Sequence, residues 1–265
     1  MVPDLRPRGI GEILDASVVL YRKRFGQLVR YSAIVVVPVQ VLLMLVLLSA
    51  QPERFSLTLT GSATPQLDTT RAQLGATVVI FVVGILTHAF VAAVTTRFVA
   101  DEYVGFQEDT GQAARTAFRR FFAVLGVVVL VGLCELVGLL FCGLGTFAAQ
   151  AFFAVAVPIV ILERSGVFAA MSRSVELTKS HFWHVLGLVL AAGLLTSLLN
   201  IALVAGLNLW AAHGGSSTSI VIAQGVVNTV AALITAPFVA AAIVTLYFDL
   251  RIRDEAFDVQ MAIAR

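Results

Sequence analysis

The chain has 265 residues, of which 59% are hydrophobic and only 13% charged, with a formal net charge of +2. Mean hydropathy is +0.94. A soluble domain carries about a quarter charged residues, so this composition excludes a water-soluble fold and points to a single integral membrane domain spanning 1–265.

Met1–Gly9 is a short polar lead with two prolines and two arginines, expected to be irregular. The first apolar run starts only after an amphipathic segment and is too long for a signal h-region, so no cleavable leader is expected. In Ile10–Val29 the residues Ile10, Ile13, Leu14, Ser17, Val18, Tyr21 and Phe25 share one helical face; Glu12, Asp15, Arg22 and Lys23 share the other. Such a helix lies in the membrane–water interface, apolar side down. Runs long enough to span a bilayer follow at 26–49, 74–98, 121–143, 146–162, 183–210 and 219–248. The fourth is the shortest, and Cys142-Gly143-Leu144-Gly145 joins it to the third as a tight hairpin. Further amphipathic stretches precede the third run (Gly111–Gly126, with Ala114, Ala117, Phe118 and Phe121 beside Arg115 and Arg119) and the fifth (Val167–Gly187). In the latter Phe168, Met171, Val175, Thr178 and Phe182 form the stripe, and Arg173, Glu176 and Lys179 lie off it. The expected fold is all-α: six transmembrane helices with interfacial amphipathic helices on the cytoplasmic face.

The three stretches end alike, as Arg24-Phe25-x-x-Leu28-Val29, Arg120-Phe121-x-x-Val124-Leu125 and His181-Phe182-x-x-Val185-Leu186. Phe90, Phe152 and Phe238 are each followed eleven positions later by an acid: Asp101, Glu163 and Asp249. These registers predict a three-fold parallel repeat with units 10–101, 111–163 and 167–249. With both termini cytoplasmic, the outer loops 50–73, 144–145 and 211–218 hold only Arg54 and Arg71 of the 18 Lys and Arg residues, the asymmetry expected of an inner-membrane protein.

Ionisable groups within the hydrocarbon are costly and mark candidate sites. Glu135 and His88 stand out, and Asn200 and Asn228 fall near the depth expected for Glu135, which suggests a polar layer in which both amides hydrogen-bond the acid. That layer serves either as a proton- or ion-coupling site or as a strut between helices. His181 and His184 are three apart but have no third ligand nearby, so they are expected to anchor the interface beside Trp183. Cys134 and Cys142 lie about 12 Å apart along one helix, too far to bridge. Pro38, Pro158 and Pro237 each fall inside a span and mark candidate kinks. No metal or cofactor motif is present, nor a nucleophile elbow, P-loop or paired-carboxylate motif.

RPRGIGEILDASVVLYRKRFGQL at the start, GVFAAMSRSVELTKSHFWHVLG in the middle and TLYFDLRIRDEAFDVQ at the end resemble segments of the glycerophosphoryl diester phosphodiesterase membrane domain family. The resemblance implies a six-span bacterial membrane module without the catalytic barrel that carries out hydrolysis where one is attached. Glu12, Asp15, Tyr21 and Arg22 match the family's N-terminal signature; Tyr247, Asp249, Leu250, Arg251, Arg253, Phe257 and Asp258 match its C-terminal one. At the inner headgroup level these residues either clamp the chain ends together or meet lipid phosphates. The expected role is therefore non-enzymatic: an anchor, scaffold or lipid-interacting protein. Its expected partners are anionic lipids on the cytoplasmic side or another membrane protein, with no nucleic acid. A small proton- or ion-coupled transporter using Glu135 is the rival reading, and an embedded enzyme ranks last.

Overall fold

The computed structural model describes residues 9–23, 25–49, 66–104, 110–140, 143–212 and 217–255. Residues 1–8 of the expected lead, 50–65 and 213–216 of the expected outer loops, Arg24, Cys142, Phe257, Asp258 and the side chain of Asp101 lie outside the described residues. Within them the chain forms helices and no strand: α1 (Ile10–Lys23), α2 (Phe25–Ser49), α3 (Gln66–Val104), α4 (Thr110–Leu139), α5 (Leu144–Phe153), α6 (Ala156–Leu162), α7 (Val167–Lys179), α8 (Phe182–Ala211) and α9 (Ser217–Glu255). Six stretches are long and apolar enough to cross a membrane: Phe25–Val46, Leu74–Ala100, Phe118–Leu139, Leu144–Leu162, Phe182–Ala211 and Ser219–Asp254. Each matches an apolar run expected from the sequence.

The spans close into a ring. Successive neighbours are α2, α3, α4, α5, α8 and α9, and α9 packs back on α2. Inside the ring, α3, α6 and α9 touch one another. The three spans that return toward the charged end thus form the centre, and the outgoing α2, α4 and α8 sit around them. Small residues at the central contacts, including Ala89, Ala93, Ala156, Ala241 and Ala242, are fully buried and allow close backbone approach. The core lies toward the end of the bundle that carries α1 and α7. Farther along, Leu42, Leu45, Val78, Phe81, Leu194, Leu198 and Ile201 are exposed, as suits side chains that face lipid rather than water.

Aromatic contacts link the beginning of one unit to the return span of the unit before it. Phe121 packs on Phe90 with ring centroids 6.0 Å apart, Phe182 on Phe152 at 5.0 Å, and Tyr21 on Phe238 at 6.2 Å. The last pair joins the first unit to the third and so closes the cycle.

Two of the amphipathic segments form separate helices. In α1, Glu12 in the first turn and Arg22 and Lys23 in the last match the sign of the helix dipole at each end. In α7 the helix stops at Lys179, and Ser180 and His181 make a turn before α8. The middle segment differs: it runs without interruption into its span as the single helix α4. Ala114–Ala123 contains only good or moderate helix formers and no turn-favouring residue, so nothing stops the helix there.

Among the three span prolines, only Pro158 accompanies a break. Lacking an N–H, it cannot continue the α5 hydrogen-bond ladder but fits the first turn of a new helix. The chain accordingly turns at Ala154–Val155 and restarts as α6, whereas Pro38 and Pro237 lie inside unbroken helices. The backbone carbonyl of Phe152, at this break, accepts hydrogen bonds from Ser174 Oγ (2.7 Å) and Thr178 Oγ1 (3.2 Å) of α7. The inward face of α7 is Ala170, Ser174, Leu177 and Thr178, while Phe168 from the expected apolar stripe is exposed.

The α4–α5 hairpin closes by backbone contact. A Cβ built on Gly138 would lie 2.4 Å from the Gly145 carbonyl carbon, and one on Gly145 would lie 2.6 Å from the Gly138 Cα. Gly143 supplies the turn with φ of 77°, a value that favours glycine, and Thr146 Oγ1 donates to the Glu135 carbonyl at 3.1 Å. Gly138→Ala is expected to destabilise the protein by about 3 kcal/mol. Gly132→Ala on the same helix, where a Cβ meets nothing within 4 Å, is expected to be neutral or mildly stabilising, as read by thermal unfolding of the two variants in detergent.

Candidate functional site

The densest set of polar side chains lies at the charged end of the bundle, around the last turns of α9. Tyr247 is fully buried and its hydroxyl donates to Glu163 Oε1 at 2.8 Å, bridging α9 to the end of α6. Arg251 Nη1 donates to the same hydroxyl oxygen at 3.3 Å, with its guanidinium 5.8 Å from the Tyr247 ring centroid. Asp249 is only 2% exposed and accepts from Arg253 Nε at 2.7 Å. His184 Nε2, on the first turn of α8, stands 3.5 Å from the same carboxylate. His181 Nδ1 lies 3.6 Å from Asp254 Oδ1, and Ser180 Oγ donates to Asp254 Oδ2 at 3.4 Å. The two histidines thus face different acids instead of converging, and no group of three or more His, Cys, Asp and Glu among the described residues could hold a metal ion.

These bonds follow from register. Tyr247 and Arg251 are four apart on one face of α9, Asp249 and Arg253 four apart on another, so each pair stacks along the helix. The arrangement brings α6, α8 and α9 together through charged and hydroxyl groups that a low-dielectric surrounding strengthens.

The N-terminal residues take a different place. Ile13 and Ser17 are buried, and Ser17 Oγ bonds the Ile13 carbonyl at 2.6 Å. Tyr21 Oη donates to the Ile234 carbonyl of α9 at 3.1 Å while its ring meets Phe25 and Phe238. Burial pushes the Tyr21 phenol above its ordinary value, so it stays a donor at neutral pH. Glu12 caps its own helix by accepting from the Gly9 N–H at 3.1 Å, and Asp15 and Arg22 are exposed.

The expected intramembrane layer is corrected by the structure. Asn200 Nδ2 donates to the Thr196 carbonyl of its own helix at 2.9 Å. Asn228 accepts from Gln224 Nε2, also within its own helix, at 2.9 Å. Both asparagines are exposed, and the extensive contacts of α4, which carries Glu135, are with α3, α5, α6 and α7. The polar side chain that interacts with Glu135 is Gln150 of α5, across the hairpin. Similar depth was not enough: the ring order sets α4 apart from the faces of α8 and α9 that hold the amides. Glu135 and His88 instead line one groove of about 700 Å³ between α3, α4, α5 and α6. The rest of its wall is apolar apart from Thr146, and Phe81, Leu133, Leu136 and Leu139 on that wall are exposed.

A second opening lies at the charged end of α3 and α4, lined by Phe90, Arg115, Phe118 and Arg119, with a volume of about 630 Å³. Three features were not drawn from the sequence: the Tyr247–Glu163 bond, the Ser174 and Thr178 bonds to Phe152, and the placing of Gln150 beside Glu135. The Ser174 bond left a usable signal, since a hydroxyl on an amphipathic helix beside a proline-broken span is a ready donor for a freed carbonyl.

No family model, curated protein or solved structure matches this chain.

Tyr247→Phe removes a buried donor to a carboxylate and is expected to lower stability by about 2 kcal/mol. Glu163→Gln, which keeps an oxygen acceptor, is expected to cost less than half as much when the two are compared by thermal unfolding in one detergent.

Proposed function

We propose that this protein is a non-enzymatic integral membrane module of the inner membrane, an anchor or lipid-interacting scaffold, with both termini and its charged end in the cytoplasm. The orientation rests on the concentration of Lys and Arg at that end. The observation that carries the functional reading is the disposition of the charged-end side chains. Tyr247, Glu163, Asp249, Arg253 and His184 are turned on one another across three helices, which suits holding a shape and leaves no paired acid and base aimed at a cleft. The described residues hold no barrel of the kind that hydrolyses glycerophosphodiesters. The resemblance of the three quoted segments to the glycerophosphoryl diester phosphodiesterase membrane domain family agrees with this reading.

One observation favours a second reading. The groove that brings Glu135 and His88 to a common wall is where a proton- or ion-coupled transporter would place its titrating groups. Its exposed apolar rim opens sideways, in keeping with lipid access, and Glu135 already has Gln150 as partner. The two readings separate in proteoliposomes under a proton or sodium gradient. The wild type is expected to conduct no more than empty vesicles, and Glu135→Gln to keep its unfolding free energy within about 1 kcal/mol of wild type, since the amide has the shape of the acid and can still meet Gln150. Flux in the wild type that Glu135→Gln abolishes would establish the transporter and overturn the module.

A further inference from the structure

The opening lined by Phe90, Arg115, Phe118 and Arg119 combines charge and apolar surface at one level of the bundle. Arg115 and Arg119 are one helical turn apart on α4 and project from the same side. Both are exposed, and neither has a hydrogen bond or ion pair among the described residues. Phe118 is the first residue of the third apolar span, and Phe118 and Phe122 are 74% and 79% exposed. The mouth of the opening therefore sits where a bilayer changes from phosphate to acyl chain.

The fold does not require two arginines here. Aligning the units on Phe25, Phe121 and Phe182 places Val19 and Lys23 in the first unit, and Glu176 and Ser180 in the third, at the positions of Arg115 and Arg119. In the third unit these side chains serve internal bonds, Glu176 to Arg173 at 3.0 Å and Ser180 to Asp254. Among the described residues, only the middle unit presents a pair of guanidinium groups with no hydrogen bond or ion pair, beside an aromatic wall.

We infer that this opening binds one anionic phospholipid of the leaflet at the charged end. Its phosphate oxygens accept N–H bonds from Arg115 and Arg119, and its glycerol and first methylenes lie against Phe118 and Phe90. Planar guanidinium forks suit phosphate oxygens, and two neighbouring positive charges disfavour the ammonium of a zwitterionic headgroup. The inference rests on the module reading and gives it a defined ligand class.

The test uses the full chain in nanodiscs of mixed phosphatidylglycerol and phosphatidylcholine, extracted gently and examined by native mass spectrometry. The wild type is expected to retain a single phosphatidylglycerol in preference to phosphatidylcholine. Arg115→Gln/Arg119→Gln should weaken that retention about thirtyfold, whereas Arg164→Gln/Lys179→Gln, which removes exposed charges elsewhere at the same end, should leave it unchanged. If the double variant does not fold, Arg119→Gln alone decides, with a smaller loss in the same direction. Equal retention by the pocket variant, or equal loss in the control pair, would overturn the site. Displacement of the lipid by inorganic phosphate, with no preference between the two lipids, would assign the opening to free phosphate and overturn it as well. Failure here is distinct from failure of the module reading: gradient-driven flux through Glu135 sinks the latter, whereas lost lipid preference without flux sinks only the pocket.

Discussion

Hydrocarbon offers no hydrogen-bond partners, so polar groups that this chain carries into the bundle are best answered from within the chain, and most are, with Ser32 Oγ an exception among the described residues. That constraint organises the structure. Where Pro158 forces a break in the fourth span, α7 turns its Ser174 and Thr178 hydroxyls to the Phe152 carbonyl. Where Tyr21 lies against α9, its hydroxyl finds the Ile234 carbonyl. Where α9 carries Tyr247 and Asp249 into the core, Glu163, Arg251, Arg253 and His184 converge on them. The amphipathic helices are thus more than floats at the interface: α7 is the donor that makes the broken span tolerable, and α1 packs along α9.

The same constraint explains where the core sits. Alanines on the three central spans let α3, α6 and α9 approach closely, and many of the polar bonds cluster at the charged end of that centre. Away from it, lipid can solvate the apolar side chains, and outgoing helices need make fewer contacts. Two glycines suffice to hold the α4–α5 hairpin at the far end.

Much of this was legible in the sequence. Hydropathy and length place all six spans to within a few residues, because a bilayer imposes both on each crossing helix. The Phe registers mark aromatic contacts between consecutive spans at two places, Phe121 on Phe90 and Phe182 on Phe152, whereas at the third Tyr21 rather than Phe25 meets Phe238. What could not be read was lateral order. Depth along a helix follows from counting residues, so Glu135, Asn200 and Asn228 seemed to share a layer. Which helix faces which depends on packing of the whole ring, and the ring sets Glu135 beside Gln150 and leaves both asparagines bonded within their own helices. The continuous α4 was likewise missed, since amphipathicity signals a change of surroundings along a helix without requiring an end to it.

The central claim is that α7 is docked on the broken fourth span as a fixed structural element. Spin labels at the exposed Lys179 of α7 and the exposed Leu144 of α5 report this most directly when their separation is measured by pulsed electron resonance in lipid nanodiscs and again after Ser174→Ala/Thr178→Val. The unmodified bundle should give a single narrow distance distribution, and loss of both hydroxyls should broaden it. A broad distribution before the hydroxyls are removed, or one that their removal leaves unchanged, would contradict the docking of α7.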